Sequence, residues 1–187
     1  MTEAIAIRIR NARIDDVPRM AALMEPLVAK RILLGKDLVD LYAAVPEFLV
    51  AVVDGDEAGD VGAPGATRGS DTVIGYGAVH VMWDQLGEVR TLGVSEEWLG
   101  RGVGHRLLDS LEDRARELGL TQLFCLTFET VFFGRHGFEE VSENTELVAA
   151  DIYGELLRSH DEGIAEFLDL ARVKPNTLGN TRMLKRL

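Results

Sequence analysis

The feature that most constrains the fold is a change of hydrophobic period around a glycine-rich bend. Residues 87–94, GEVRTLGV, have the pattern of a strand. The residues after the bend repeat instead at helical spacing: Val103, Leu107, Leu108, Leu111, Ala115 and Leu118. Between the two patterns, WLGRGVGH places Gly100, Gly102 and Gly104 at alternate positions. The chain is therefore predicted to leave a strand, bend sharply and enter a helix.

Such a bend suits a bound phosphate. A helix N-terminus offers amide N–H groups that have no intrahelical acceptor, together with the positive end of the helix dipole. Glycines before the helix let successive amides converge on one anion and let that anion approach closely. Arg101 and Arg106 add positive charge in an acidic chain, which favours a small anionic ligand, although both side chains also fit a solvated helix surface.

Two common phosphate-binding motifs do not fit the bend. A P-loop needs Lys-Ser or Lys-Thr after its last glycine, and neither follows here. A dinucleotide fingerprint, G-x-G-x-x-G, fails from either starting glycine, because His105 or Leu107 takes the place of the third glycine. The strands before the bend also indicate an antiparallel meander, whereas a dinucleotide site needs a βαβ unit.

The remaining pattern predicts a mixed α/β fold. Strands are predicted at 5–13, 47–54, 72–82, 87–94, 123–128, 165–170 and 181–187. Helices are predicted from a cap at Asp15 to Val28, and at 37–44, 103–118, 129–137 and 147–158. The main elements follow the order β-α-α-β-β-β-α-β-α-β, in which the second to fourth strands form an antiparallel meander and a β-α-β motif follows. Residues 55–71 are predicted to be a flexible insertion within a single domain over 1–187.

Composition and charge disfavour several classes of function. The net charge of −11 argues against a nucleic-acid groove, which needs a basic face. No apolar run reaches the roughly 18 residues that span a bilayer, and residues 1–10 alternate unlike a signal peptide, so we expect no membrane partner and a cytoplasmic protein. The lone Cys125 cannot form an internal disulfide, and no Cys/His cluster has zinc-ligand spacing, so no metal is expected.

Two stretches resemble a known family. LGVSEEWLGRGVGHRLLDSLEDRARELGL is similar to the acetyl-CoA-binding motif of the GCN5-related N-acetyltransferases (GNATs), and VFFGRHGFEEV resembles the next landmark of that family, a short helix ending in Gly-Phe. Together they cover roughly residues 88–141. MEPLVAKRILLGKDL, LFCLTFETVFFGRHGF and VKPNTLGNTRML further resemble the short, single-domain N-acetylglutamate synthases, which acetylate glutamate or glutamine to begin arginine biosynthesis.

The resemblance implies a GNAT fold with acetyl-CoA as cosubstrate at the junction between the fourth strand and the third helix. The strand is expected to offer backbone groups to the pantetheine arm, from Leu92, Gly93 and Val94. The bend is expected to hold the pyrophosphate on its amides, from Gly100, Arg101, Gly102, Val103, Gly104 and His105. An amide there would also polarise the thioester carbonyl.

The implied reaction is direct attack of a neutral amine on the thioester in a ternary complex. Glu88 stands where related acetyltransferases carry their base, although a solvated strand-end glutamate is an equal alternative. Glu88, Arg90, Leu92 and Val94 are predicted to share one strand face. Guanidinium and ammonium groups bind carboxylates, so the candidate substrate anchors are Arg90, Lys36, Lys174 and Arg182, each of which also fits simple surface charge.

The sequence departs from the family pattern at two positions. Leu99 stands where most members carry Gln or Arg, and Phe133 stands where many carry the tyrosine that protonates the departing thiolate. Cys125 could form an acyl intermediate, but burial in an apolar strand is the better interpretation. His105 and His136 are interpreted as structural or phosphate neighbours, and only secondarily as bases.

These observations predict an amino-acid N-acetyltransferase acting on glutamate or glutamine, with a small-molecule partner and no nucleic acid. The alternatives are a GNAT acting on another amine, such as a peptide N-terminus, a polyamine or a drug, and a non-catalytic acyl-CoA-binding module. The choice between glutamate and glutamine, the oligomeric state (monomer or homodimer) and feedback by arginine are left open.

Overall fold

A computed structural model describes residues 6–33, 35–54, 71–142, 147–170, 173 and 179–187. The strands of this described part are β1 (Arg8–Asn11), β2 (Phe48–Val53), β3 (Thr72–Trp83), β4 (Leu86–Val94), β5 (Gln122–Thr127), β6 (Glu139–Glu140) and β7 (Thr181–Arg186). They form one mixed sheet in the order β1-β2-β3-β4-β5-β7-β6. This order confirms the predicted mixed α/β class.

The helices of the described residues are α1 (Val17–Ala29), α2 (Leu38–Ala43), α3 (Val103–Glu117), α4 (Thr130–Arg135), α5 (Ala150–Leu156) and α6 (Glu162–Phe167). In this part of the chain no helix is long and apolar enough to cross a membrane. The described residues divide into two compact units. One contains the residues as far as Ala78 together with Thr91–Leu111, and the other contains Val79–Arg90 and the residues from Glu112 onward.

The first unit is built on antiparallel strands that pack around an apolar core. β2 pairs with β1 on one side and with β3 on the other, both antiparallel. All six residues of β2 are buried, as the uninterrupted apolar run FLVAVV requires. The core packs α1 and α2 against the strands through Val17, Met20, Met24, Leu41, Phe48, Val50, Val52 and Tyr76.

Glycines on β3 allow α3 to lie directly on the strand. A Cβ at Gly77 would stand 2.8 Å from both the Leu111 and the Leu92 side chains, and one at Gly75 would stand 3.0 Å from Leu107. The distance at Gly77 is too short for a real Cβ atom and the one at Gly75 is tight, so the side chains of α3 fill the space that the two glycines leave empty. Close packing therefore fixes the distance between α3 and β3.

The second unit centres on β5. This strand pairs parallel with the first residues of β4 and antiparallel with β7, and β7 pairs antiparallel with the two residues of β6. The core joins α5 and α6 to these strands through Met82, Leu86, Phe124, Leu156, Ile164 and Phe167. The rings of Phe124 and Phe167 meet edge to face, with centroids 5.2 Å apart, so α6 is anchored on β5 by an aromatic pair.

Charged residues also tie the second unit together. The carboxylate of Glu112, buried near the middle of α3, accepts a 2.5 Å hydrogen bond from Lys185 on β7. Its other oxygen lies 3.8 Å from Nδ1 of His136, which follows α4. The Lys185 ammonium also lies 5.9 Å from the centroid of the Phe138 ring. The buried Glu112 carboxylate is tolerated because the Lys185 ammonium on β7 pairs with it.

Most predicted elements are confirmed, two local predictions are wrong, and one short strand was not predicted. Residues 165–170, AEFLDL, were expected to form a strand, but residues 162–167 are α6, because Asp161 caps the helix by accepting a hydrogen bond from Ile164 N–H. The N-cap of α1 is Asp16 and not Asp15. The strand β6, two exposed glutamates, has no hydrophobic pattern from which it could be predicted.

Two predictions about organisation are not tested. The predicted flexible insertion at 55–71 lies outside the described residues except for Asp71. Asp71 forms two ion pairs, with a nitrogen–oxygen distance of 2.5 Å to Arg8 and 3.1 Å to Arg10. The expectation of one domain over 1–187 stays a prediction.

We expect Phe167→Ala to lower the free energy of unfolding by about 3–5 kcal/mol, because it leaves a cavity beside Phe124 and removes the aromatic pair. Leu157→Ala is the control, since Leu157 is 44% exposed and the substitution should change stability by no more than about 0.5 kcal/mol. Urea denaturation followed by circular dichroism measures both. Equal stability of the two variants would contradict the role of this ring in holding α6.

Candidate active site

The glycine bend connects β4 to α3 through one short 3₁₀ turn, Glu96–Trp98. The amide of Ser95 donates to the carbonyl oxygen of Ile74 at 2.8 Å, which keeps the chain attached to β3 as it leaves the strand. Trp98 is buried and anchors the turn. The Arg101 guanidinium stacks over its ring, 4.9 Å from the centroid. The bend is therefore fixed on both sides before the helix begins.

Two of the glycines have backbone conformations that other residues rarely adopt. Gly100 has φ of 74° and Gly102 has φ of 78°, both in the left-handed region. A Cβ built at either position would meet no atom within 4 Å. The glycines are thus required by the turn and not by packing, and the space beside them is open. The bend satisfies the conformational requirement of an anion-binding loop and leaves room for the anion.

The start of α3 supplies the amides. The Arg106 amide donates to the Gly102 carbonyl at 3.1 Å, so the amides of Val103 and Gly104 come before this helical hydrogen bond. Amides in this position, at the positive end of a helix dipole, suit a phosphate. The Arg106 side chain has a structural role, because its Nη2 donates to the carbonyl oxygen of Ile7 at 2.7 Å. Arg101 and His105 are exposed.

A left-handed threonine interrupts β4. Thr91 has φ of 58°, an unfavourable value for a β-branched residue, so side-chain alternation does not continue across it. The prediction that Glu88, Arg90, Leu92 and Val94 share one face is therefore wrong, because it assumed an unbroken period of two. The strand instead has two differently oriented halves, Leu86–Arg90 and Leu92–Val94.

The second half of β4 faces a buried tyrosine. A Cβ at Gly93 would overlap the hydroxyl of Tyr76, so glycine is required for this approach. The Tyr76 hydroxyl has no hydrogen-bond partner in the described part of the chain, and burial raises the pKa of the phenol. Gly93 thus lets β3 and β4 lie close together at the segment predicted to hold the pantetheine arm.

Glu88 is buried, with 4% of its surface exposed, which contradicts the alternative of a solvated strand end. Burial raises the pKa of its carboxyl group, and the neighbouring Arg90 guanidinium opposes that rise. Arg90 donates to Glu88 Oε2 from Nε at 2.9 Å and from Nη2 at 2.5 Å. A buried carboxylate whose pKa is raised and whose orientation is fixed has the properties of a general base.

Arg90 bridges two carboxylates. Besides Glu88 it binds Asp161, the N-cap residue of α6, with Nη1 at 3.2 Å from Oδ2 and Nη2 at 3.0 Å from Oδ1. The guanidinium lowers the pKa of Asp161 below the ordinary value against the opposing effect of burial. His80 on β3 lies 3.8 Å from the same carboxylate. The candidate substrate anchor is thus paired on two sides within the protein.

The helix α6 packs directly on this charged pair. A Cβ at Gly163 would overlap Glu88 Oε2 and stand 2.7 Å from Arg90 Nη2, so any side chain there would push the helix away. Glu166 lies one turn later on the same face and is buried. Burial, with further contributions from the charges of Glu88 and Glu162, raises the pKa of Glu166 to about 7.

Sequence reasoning missed the three residues of this segment that surround the base: Asp161, Gly163 and Glu166. Glu166 was assigned to the strand predicted at 165–170, and Asp161 and Gly163 were assigned to no element. A helical interpretation of DEGIAEFL, with Asp161 as cap, would have placed Gly163 and Glu166 on one face. The available signal was therefore the cap residue.

The other predicted anchors have varied environments. Lys36 is exposed before α2, and Arg182 donates from Nη2 to the carbonyl oxygen of Phe167 at 2.6 Å. Lys174 lies outside the described residues. Their roles in binding stay predictions, as do those of the residues at the bend.

Two further residues lie in the core. Cys125 is buried in β5, and burial together with the charge of Glu88 raises the pKa of its thiol, which keeps it protonated and unreactive. Phe133 is buried, with the rings of Phe132 and Phe138 edge to face against it at 5.2 Å. The position of the missing tyrosine is thus filled by aromatic packing. Among the described residues, no group of three His, Cys, Asp or Glu side chains is arranged to hold a metal ion.

Comparisons with known proteins agree with this geometry. The acetyltransferase (GNAT) family model matches residues 40–138, more than half of the chain. An amino-acid acetyltransferase of Mycobacterium tuberculosis is 48% identical over 176 residues, which are 94% of this chain and 92% of that protein. An amino-acid acetyltransferase of Neisseria meningitidis is 31% identical over 74% of this chain and 28% of its own, longer sequence.

Solved structures extend the likeness to the fold. The crystal structure of Rv2747 from Mycobacterium tuberculosis in complex with CoA and NLQ has a TM-score of 0.82 at 47% identity, covering 96% of this chain and 99% of that one. N-acetylglutamate synthase from Neisseria gonorrhoeae, complexed with coenzyme A and N-acetyl-glutamate, has a TM-score of 0.70 at 24% identity, covering 99% of this chain and 36% of that one. The chain therefore belongs to the GNAT family and is an acetyl-CoA-dependent acetyltransferase.

Proposed function

We propose that this protein transfers the acetyl group of acetyl-CoA to the α-amine of L-glutamate or L-glutamine, the first step of arginine biosynthesis. The observation that carries the proposal is the Glu88–Arg90 pair. It places a buried base two residues from a guanidinium, the group best suited to a carboxylate, on one strand. An amino acid presents the two matching groups, an ammonium and a carboxylate.

Two relatives support an amino-acid acceptor. The Mycobacterium tuberculosis protein at 48% identity is an amino-acid acetyltransferase, and it is similar over nearly its whole length. The structure at 47% identity contains CoA together with NLQ. The acceptor of this chain is proposed by analogy with them, and a homodimer and a cytoplasmic location stay predictions.

The proposed reaction begins with the removal of a proton from the substrate ammonium by the Glu88 carboxylate, directly or through one water. The neutral nitrogen attacks the thioester carbonyl carbon, a C–N bond forms, and the C–S bond breaks to release the CoA thiolate. The second proton of the former ammonium leaves with the thiolate or to solvent, because Phe133 offers no acid. The protonated Cys125 supports direct transfer over a covalent acyl-enzyme route.

The residues at the bend fit the phosphates of acetyl-CoA. In the proposal the amides from Arg101 to Gly104 hold the pyrophosphate, with Arg101 exposed beside them, and Leu92, Gly93 and Val94 offer their backbone to the pantetheine arm. The open space beside Gly100 and Gly102 supports this assignment, because a diphosphate needs close access to the main chain. Leu99, where other members have Gln or Arg, is 61% exposed and contributes no charge.

An acceptor screen tests the proposal. We expect release of CoA thiol when the protein is incubated with acetyl-CoA and L-glutamate or L-glutamine, because each offers a carboxylate beside the amine. Spermidine, which has amines but no carboxylate, is the control and should give no release above hydrolysis. Turnover with spermidine and none with either amino acid would contradict the proposed acceptor.

The Gly102→Ala variant tests the bend. Alanine disfavours φ of 78° by about 1 kcal/mol, and its Cβ enters the space proposed for the diphosphate. We expect CoA affinity, measured by calorimetry, to fall by about tenfold or more. Gly119→Ala is the matched control, because Gly119 has φ of 84°, equally open surroundings and no proposed ligand. Equal CoA affinities of the two variants would contradict the assignment of this bend.

Glu88→Gln tests the base. We expect kcat/KM to fall by about 10²–10⁴-fold while CoA affinity is unchanged, because the amide keeps the shape of the side chain and removes its basicity. Burial raises the pKa of Glu88, and a base works only when deprotonated. The wild-type rate should therefore decline as the pH falls through a pKa above the ordinary value for glutamate, and the variant should lack this limb. An unchanged profile in the variant would remove Glu88 from the reaction.

A further inference from the structure

The Arg90 guanidinium presents two edges, and each is occupied by a carboxylate of the protein. Nε and Nη2 form the edge that binds Glu88, through the single oxygen Oε2. Nη1 and Nη2 form the end-on edge, where Asp161 Oδ2 and Oδ1 accept one hydrogen bond each. The second arrangement is the bidentate geometry in which arginine binds a free carboxylate. An acceptor carboxylate that uses this edge therefore meets Asp161 already in place.

We propose that Asp161 is an internal competitor for the carboxylate of the acceptor and thereby sets the affinity of the enzyme for it. The inference rests on the proposed function, since it assumes an acceptor that carries a carboxylate. In the resting protein Asp161 occupies the end-on edge of Arg90. Binding of the acceptor exchanges one carboxylate for another at that edge.

Exposure and distance identify Asp161, and not Glu88, as the exchangeable partner. The side chain of Asp161 is 29% exposed, against 16% for Arg90 and 6% for Glu88. Its hydrogen bonds with Arg90, at 3.0 and 3.2 Å, are longer than those of Glu88, at 2.5 and 2.9 Å. A molecule arriving from solvent therefore meets the weaker and more accessible of the two pairs first.

The exchange leaves the number of carboxylates that pair with Arg90 unchanged. Arg90 holds a buried position, and removing a partner without replacement would leave a poorly solvated charge, which is strongly unfavourable. A substrate carboxylate restores the same charge at the same edge, so the environment of Glu88 changes little when Asp161 leaves. An acceptor without a carboxylate cannot make this replacement.

The helix α6 can survive the exchange. Asp161 Oδ1 accepts from the Ile164 amide at 3.1 Å as well as from Arg90, so the side chain retains its cap when the guanidinium is released. Phe167 separately anchors the helix on Phe124. The helix is therefore held at both ends, and the exchange requires no unfolding of the segment.

The test removes the charge of Asp161 and keeps the cap. Asparagine and serine both cap helices well, so Asp161→Asn and Asp161→Ser should fold. Asparagine loses the bidentate pair because its amide group has one acceptor oxygen, and serine is too short to replace the carboxylate. Glu162→Gln is the control, because it removes the adjacent, exposed carboxylate and leaves Arg90 untouched.

We expect the KM for L-glutamate or L-glutamine, at saturating acetyl-CoA, to fall by about three- to tenfold in both Asp161 variants and to stay unchanged in Glu162→Gln. Calorimetric titration of L-glutamate into the CoA-loaded protein should show the same ratio. If the KM falls for glutamate alone, Arg90 binds the side-chain carboxylate of the acceptor. If the KM falls for both amino acids, Arg90 binds the α-carboxylate. Either result supports the competition.

A rise in the KM, instead of a fall, would indicate that Asp161 has a structural role. If Asp161 only positions Arg90, its removal loosens the guanidinium, and the KM rises. A raised or unchanged KM in both folded variants, with normal wild-type turnover, would overturn the competition and leave the proposed function intact. Absence of wild-type turnover with either amino acid would overturn the proposed function itself.

Discussion

The buried contact between Glu88 and Arg90 is the interaction on which the rest of this site depends. Neither charge would be stable alone in its position, because desolvation raises the pKa of the carboxyl group and disfavours the guanidinium. Together they keep an ionisable base inside the protein without a large unpaired charge. The glycine at 163 is a consequence of this arrangement, since α6 covers the pair at a distance that leaves no room for a side chain.

The strand β4 carries residues with different proposed roles in its two halves. Its first half carries Glu88 and Arg90, Thr91 turns the backbone, and its second half leads through Gly93 to the bend. The left-handed conformation of Thr91 is unfavourable for a β-branched residue. A regular strand would have kept one alternation throughout, so the interruption allows the two halves to present different groups.

The sequence predicted the parts of this site that arise from local pattern. The change of period and the spacing of Gly100 and Gly102 were sufficient to place a glycine bend before α3, because backbone conformation at glycine is a local property. The burial of Glu88 was not predictable, since it depends on α6, a segment more than seventy residues away in the chain. The cap formed by Asp161 was a local signal that was overlooked, whereas its contact with Arg90, 71 residues away in the chain, was not predictable.

The open surroundings of Gly100 and Gly102 have a consequence for substitution at these positions. A new side chain would collide with nothing in the protein, so for folding its volume matters less than the left-handed backbone conformation that it must adopt. Asparagine and aspartate tolerate this region better than other residues with a Cβ. Aspartate would add a negative charge at the site proposed for a phosphate, so asparagine is the replacement that best preserves the folded bend.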